Sequence, residues 1–336
     1  MFGPLFFTFV ILMCGALLLW LLSMRANDVS IVDIGWGLGF VIVTWVALAH
    51  SYPSPRHWLL ASLVTLWGVR LSAHIYARHA GEDIRYQRMR AKHGEAFRYT
   101  SGYLVFGLQA VLCWVISLPI QIAELMDEHW QRELGTLDSI GIVVFAFGFL
   151  FEVVADTHLM LWKRNAANIG KVLDTGLWSL SRHPNYFGEC VLWWGLYLIA
   201  AASGWGALAI WSPILVTYLL LKVSGVPMLD KELLQRKPAY AAYVARTSAF
   251  FPRPPKGDAG AGPAGDSLDL DPEEEIDTAE HHRPSAPKTA GAAYGPAAAR
   301  RADGSPLREA PKRVDPPTIE ITIPPPAGDD TGGFER

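Results

Sequence analysis

The sequence predicts an all-α integral membrane protein with about seven transmembrane helices, N-terminus outside and C-terminus cytoplasmic, followed by a disordered C-terminal tail. Three observations predict it. Hydrophobic residues make up 51% of the chain and charged residues only 18%, an apolar excess over an ordinary soluble protein. The apolar residues gather into runs near the roughly 20 residues that cross the hydrocarbon core of a bilayer. Lys and Arg concentrate in alternate loops between those runs.

The runs, in order, are Phe2 to Ser23, Ile34 to Ala49, Trp58 to Tyr76, Tyr103 to Ile122, Ile140 to Leu161, Phe187 to Ala202 and Trp205 to Leu221. The second and sixth are short, and Pro119 and Pro213 lie inside spans, where neighbouring helices can satisfy a freed carbonyl. The first run lacks a basic leading region and a small-residue cleavage site, so it reads as a retained span rather than a signal peptide. Cys14, Cys113 and Cys190 all fall inside spans, which offers no disulfide framework and no metal-ligand spacing; no metal site is expected.

Orientation follows from the basic residues. With the N-terminus outside, the inner loops carry Arg25, then Arg78, Arg85, Arg88, Arg90, Lys92 and Arg98, then Lys163, Arg164, Lys171 and Arg182, and finally Lys222 onward. The outer loops carry only Arg56 and Arg132, and the loop Ala123 to Ser139 is acidic.

Two regions are therefore expected: a membrane domain over residues 1–252 and a tail over 253–336. The tail is rich in Pro, Gly, Ala and charge, with an acidic patch from Asp269 to Asp277, and cannot bury enough apolar surface to offset its ordering entropy. One apolar island, Thr318 to Ile323, alternates like a strand and suits pairing with the edge of an unknown partner. The chain shows no internal repeat, no Gly-rich nucleotide loop and no zinc spacing, and no nucleic-acid partner is expected.

Function must come from polar residues in or beside the spans, because a charge in the membrane is costly and marks a pathway or site. Asp33 begins the second span, Arg70 and His74 lie late in the third, Glu152 and Asp156 late in the fifth, and Glu189 early in the sixth. All sit in the half assigned to the cytoplasmic side. Residues four apart share a helix face, so Arg70 with His74, Glu152 with Asp156, and Asn185 with Glu189 and Trp193 form polar stripes at one depth on three spans. A buried site between helices requires such convergence. A plain ion pair between Arg70 and Glu152 or Asp156 explains part of it.

The densest motif is Ser181-Arg182-His183-Pro184-Asn185-Tyr186-Phe187-Gly188-Glu189. Pro184 suits the first turn of a helix. Backbone N–H groups, the helix dipole and Arg182 together could hold the phosphates of a nucleotide. Alternatively the segment is only a helix start, with Arg182 and His183 at the interface and Glu189 near the positive helix end.

The stretch from Gly176-Leu177-Trp178 to Trp194-Gly195 resembles the C-terminal catalytic domain of the steroid 5-alpha-reductase family (3-oxo-5-alpha-steroid 4-dehydrogenase), in particular its bacterial branch. Asn27-Asp28-Val29-Ser30 to Asp33, Trp67-Gly68-Val69-Arg70-Leu71 with His74, Glu152 with Ala155-Asp156, and Arg246-Thr247-Ser248 with Phe250 and Pro252 extend the resemblance over the membrane part. It implies a seven-helix enzyme of a bacterial cytoplasmic (inner) membrane that takes NADPH from the cytoplasmic side. Such an enzyme reduces a carbon–carbon double bond conjugated to a carbonyl in a lipid-like substrate held among membrane lipids.

By position, Asn185, Glu189 and Asp156 match family residues that contact the dinucleotide, and Arg70 matches a cofactor-contacting arginine. Glu152 stands where the steroid enzymes use an asparagine, Lys163 where they use an arginine, and Trp67 where a substrate-polarising tyrosine is found. With Arg182, His183, Trp193 and Arg246, these make up the expected cofactor site.

The cofactor brings the hydride, and the protein must stabilise negative charge on the substrate oxygen. The candidates are a protonated Asp33, which burial would favour, and Tyr186 or His74 as neutral donors. The pattern Arg182, His183, Pro184, Tyr186 and Gly188 also looks like the isoprenylcysteine carboxyl methyltransferase group, whose ligand is S-adenosylmethionine. A non-enzymatic scaffold whose tail recruits partners is a third reading, and it leaves the intramembrane polar cluster unused.

The topology is testable directly. A reporter fused after Phe251 is expected to be cytoplasmic and one inserted between Glu124 and Asp138 to face outside; an external C-terminus would overturn the orientation and the side of cofactor entry.

Overall fold

A computed structural model describes residues 2–126, 133–223 and 225–256. The tail from residue 257, its strand-like island, and Asp127 and Glu128 of the acidic loop lie outside the described residues. Among the described residues the regular structure is all helical, with no strand. The helices are α1 (Phe2–Ala26), α2 (Ile31–Ala49), α3 (Pro55–Arg78), α4 (Ile84–His93), α5 (Phe97–Ser101), α6 (Leu108–Met126), α7 (Thr136–Arg164), α8 (Leu177–Leu180), α9 (Pro184–Ala201), α10 (Trp211–Tyr218), α11 (Val226–Arg236) and α12 (Tyr240–Arg246).

Among the described residues, 6 helical segments are long and apolar enough to cross a membrane by length and composition: Gly3–Ala26, Ile31–Ala49, Pro55–Arg78, Ile84–Met126, Thr136–Arg164 and Trp205–Arg236. The expected sixth span, α9, is not among them. It starts at Pro184 rather than Phe187, and the polar Asn185 and Glu189 in its first turns lower its hydropathy. Much of it is buried, including Gly188, Cys190, Leu192, Trp193 and Leu196, so protein rather than lipid surrounds it. The last expected span is broken into a 3₁₀ turn, α10 and a π turn. Pro213 falls in the first turn of α10, where its missing N–H removes no helical bond.

Small residues set the spacing of the bundle. A Cβ on Gly37 of α2 would lie 2.3 Å from the carbonyl oxygen of Gly68 on α3, and one on Gly68 would lie 2.6 Å from that of Gly37. Along α7 and α9, a Cβ on Gly148 would lie 2.4 Å from the nitrogen of Leu192, and one on Gly188 2.6 Å from the nitrogen of Glu152. Gly141 and Gly195 continue this seam one heptad away on each helix.

Between the seams sits an aromatic core. Phe40 meets Trp36, Trp67 and Trp193 edge-to-face at 5.1, 5.6 and 4.8 Å between centroids, and Trp67 meets Trp193 at 5.3 Å. On the outer side of α7, Val143, Phe147, Leu150, Val154 and Leu161 are exposed, a stripe suited to lipid.

Replacing Gly148 by Leu is expected to force α7 and α9 apart and cost about 1–3 kcal/mol or more, as overpacking does. Gly15→Ala, where a Cβ meets nothing within 4 Å, should be neutral or slightly stabilising. Melting temperatures in one detergent check both, and a Gly148→Leu protein that melts like the parent would remove the seam from the account.

Candidate functional site

Three helices deliver the site. Arg70 lies two residues past the Gly68 contact on α3, and Glu152 lies at the Gly188 contact on α7, so both glycine seams point their neighbours at one place. Arg70 spans two carboxylates: its Nη1 donates to Glu152 Oε1 at 2.6 Å and its Nη2 to Asp156 Oδ2 at 2.7 Å. Trp67 Nε1 donates to Glu152 Oε2 at 3.2 Å, and Asn185 Nδ2 of α9 donates to Asp156 Oδ1 at 3.1 Å. His74 Nε2 stands 3.7 Å from Asp156, beyond hydrogen-bond range. Glu152 is 2% exposed and Asp156 4%.

Glu189 completes the group differently. It adjoins Gly188, whose backbone touches that of Glu152, and lies within electrostatic reach of Asp156, Glu152 and Arg70. Among the described residues it forms no hydrogen bond or ion pair. The site therefore holds three carboxyl groups against one guanidinium, with acceptor capacity left over. Such a site favours a ligand rich in N–H and O–H donors.

The proton-donor candidates separate. Asp33, in the first turn of α2, accepts from Arg85 Nη2 at 2.8 Å, Tyr86 Oη at 2.8 Å and Gln109 Nε2 at 3.1 Å. Both oxygens of Asp33 are thus engaged by donors on α4 and α6, apart from the Arg70 group. Tyr186 stacks flat on His183, with ring centroids 5.6 Å apart and planes 6° apart. Its hydroxyl makes no hydrogen bond among the described residues, and it lies within electrostatic reach of Glu189, Asp156 and Arg85. Among the described residues, Tyr186 thus keeps an uncommitted O–H, and His74 likewise has no hydrogen bond, its nearest acid being Asp156.

Other expected cofactor residues lie elsewhere. Arg182 donates to Asp230 Oδ2 through Nη2 at 2.6 Å and to the Thr247 and Val244 carbonyls through Nη1 at 2.7 and 3.3 Å. His183 Nε2 pairs with Asp230 Oδ1 at 3.0 Å, and Tyr240 donates to the same oxygen at 2.6 Å. Burial, and the carboxylate it donates to, push the Tyr240 phenol above its ordinary range, so it remains a donor. With their donors spent inside the protein, Arg182 and His183 are not free to hold phosphate. Trp193 is 3% exposed in the aromatic core and forms a floor rather than a ligand contact. Arg246 pairs with Asp174, both well exposed, and does not join the Arg70 group.

Lys163 and Arg78 are exposed at the ends of α7 and α3, one to two turns beyond Asp156 and His74. They are near enough to repel each other, and neither has an ion-pair partner among the described residues. In the sequence Arg78 stands out only as part of a basic loop. Tyr86 and Asp230 do not stand out at all, because they belong to short helices outside the apolar runs; their one sequence signal is an aromatic or acid set among Arg and Lys residues.

A family model described as a protein of unknown function, DUF1295, matches residues 19–247. The chain belongs to the DUF1295 family. This family is steroid 5-alpha-reductase-like, and the matched region takes in each site residue from Asp33 to Arg246. An uncharacterised protein of Schizosaccharomyces pombe is 26% identical over 266 residues, covering 70% of this chain and 76% of the yeast protein. A protein of Ustilaginoidea virens named as a probable O-methyltransferase is 36% identical over 66 residues, 20% of this chain and 23% of that protein. No solved structure matches.

Removing one partner of a buried ion pair leaves an uncompensated charge and costs about 3–5 kcal/mol. Arg70→Ala should therefore lower the melting temperature sharply, and adding Glu152→Gln should recover part of the loss. A double variant no more stable than Arg70→Ala would mean that Arg70 does not offset Glu152.

Proposed function

We propose that the protein is a membrane-embedded reductase that uses NADPH to reduce a carbon–carbon double bond in a steroid-like or other lipid substrate. The observation that carries this reading is the gradient of polar groups across one site. Among the described residues, uncommitted acceptors lie deep on an aromatic floor, and cations without an ion-pair partner lie at the helix ends. NADPH has the matching order, with an amide and ribose hydroxyls toward one end and phosphates in the remainder.

When bound, NADPH would supply the hydride. Glu189 and Asp156, with Asn185, would accept from and orient amide and hydroxyl groups. Arg78 and Lys163 would take the phosphates. Trp67, Phe40 and Trp193 would exclude water beneath the reacting ring. Tyr186 would hold a proton at its Oη for the substrate oxygen or for the carbon beside it. Placing the Arg70 end of the bundle on the cytoplasmic face of a bacterial inner membrane follows from the Lys/Arg distribution and is part of the same proposal.

A second reading is favoured by the short similarity to the probable O-methyltransferase: S-adenosylmethionine as the ligand and a methyl group as the cargo. Both ligands contain adenosine, and acidic residues suit either.

Mass spectrometry of nucleotide retained by detergent-purified protein separates the readings: NADP(H) supports the first and S-adenosylmethionine the second. With NADPH, Glu189→Gln should weaken binding roughly ten- to hundredfold, the effect of losing a charged hydrogen bond of about 1.5–3 kcal/mol. Loss of thermal stability with unchanged affinity would reduce Glu189 to a helix-dipole partner.

A further inference from the structure

We infer that Asp230 is a positioning residue for the site: it fixes the entry to α9 and, through His183, the plane of Tyr186. The inference rests on the proposed site at the head of α9, and Asp230 has no place in the sequence reading. It lies on α11, beyond the last apolar run.

The Asp230 carboxylate gathers three donor residues from two parts of the chain. Arg182 reaches it with Nη2 at 2.6 Å and Nε at 3.4 Å, His183 with Nε2 at 3.0 Å, and Tyr240 of α12 with its hydroxyl at 2.6 Å. Arg182 and His183 immediately precede Pro184, the first residue of α9. His183 itself provides no side-chain cap for the helix; its ring is turned to Asp230 instead. The opposite use of that ring is the flat stack on Tyr186. Rotation of the imidazole is thereby set by one hydrogen bond at its edge, and the stack transmits that setting to the side chain with the uncommitted hydroxyl. The first α9 turn also carries Asn185, so the same anchor fixes its approach to Asp156.

A second account would make Asp230 a stand-in for a ligand anion, filling a phosphate site built from Arg182, His183 and Tyr240. The remaining bonds of Arg182 argue against it. Its Nη1 is held by the Thr247 and Val244 carbonyls, and its backbone N–H by the Ser248 carbonyl at 2.8 Å. The segment beyond α12 is further tied to this place by Ser181 Oγ donating to the Phe250 carbonyl at 2.8 Å and by the Arg253 N–H donating to the Leu180 carbonyl at 2.9 Å. A guanidinium shared with backbone carbonyls is an anchor, and phosphate could not replace Asp230 without leaving the Tyr240 and His183 geometry to be rebuilt.

The test compares three variants of the full chain in detergent. Asp230→Asn removes the charge; Tyr240→Phe removes one donor and keeps the charge. Asp138→Asn makes the same kind of lesion in the buried pair with Arg56, on α3 and α7 at helix ends remote in sequence from Asp156 and His74. The readouts are NADPH affinity by titration, melting temperature, and hydrogen exchange at the Arg182 and Phe187 amides, which are bonded to the Ser248 and His183 carbonyls.

Asp230→Asn should weaken NADPH about tenfold and Tyr240→Phe a few-fold, with faster exchange at both amides, while Asp138→Asn lowers melting temperature without either change. Affinity loss no greater than in Asp138→Asn, or unchanged exchange, overturns the inference. Tighter NADPH binding by Asp230→Asn also overturns it, in favour of the self-filled anion site. If Asp230→Asn fails to fold, Tyr240→Phe alone decides. If the parent binds no NADPH, the reductase proposal falls, and the exchange measurement still decides whether Asp230 holds the head of α9.

Discussion

Everything in the site depends on how closely α7 and α9 approach at Gly148 and Gly188. There is no room for a Cβ on either, because the backbone of the facing helix already occupies the space. Within a membrane, helices gain little from hiding apolar surface from lipid, so close backbone approach and the dispersion contacts it brings are a main source of association. The same approach sets chemistry. Glu189 follows Gly188, and Glu152 is the residue whose nitrogen faces Gly188, so two mutually repelling carboxyl groups are brought side by side. The Gly37–Gly68 crossing does the corresponding work for α3, delivering Trp67 and Arg70 to Glu152.

Arg70 makes this tolerable. A guanidinium offers five donors in a planar fork, and here two of its nitrogens serve carboxylates on successive turns of α7. Lysine would present a point charge and could not span them in the same way. The compensation is partial: one cation faces Glu152 and Asp156 directly, and Glu189 has no bond among the described residues. A purely structural ion pair would have no reason to keep a third carboxyl group nearby, since burying it unpaired is unfavourable. The unspent acceptor is what separates this cluster from a simple neutralised pair.

Much of this was legible in the sequence, and for a physical reason. Membrane helices must be long and apolar, and charges within them are rare, so the four-residue spacings of Arg70 with His74, Glu152 with Asp156 and Asn185 with Glu189 stood out against their background. Helix α9 was read as a span because its apolar half is strong; that it sits within the bundle with a polar start depends on glycine contacts that hydropathy does not encode. The partners of Asp33, Arg182 and His183 are not legible in the sequence for one shared cause. Each is fixed by a partner far away in sequence, Arg85 and Tyr86 for the first and Asp230 for the others, on short helices with no apolar run to mark them. A charged residue read alone looks available; only its partners show that it is committed.

The distribution of charge also bears on which adenosine-containing ligand suits the site. The deep end, with Glu152, Asp156 and Glu189, would repel phosphate, so a dinucleotide could enter only with its phosphates toward the helix ends, where Arg78 and Lys163 lie near one another. S-adenosylmethionine carries a sulfonium and an ammonium but no phosphate. It would satisfy the carboxylates and leave the repulsion between Arg78 and Lys163 in place, with Asp83 within electrostatic reach of Arg78. Like charges held together at an interface persist at a cost unless an anion offsets them. The acids at the deep end fit both ligands, and under the proposal above the basic rim is better used by the one that carries phosphate.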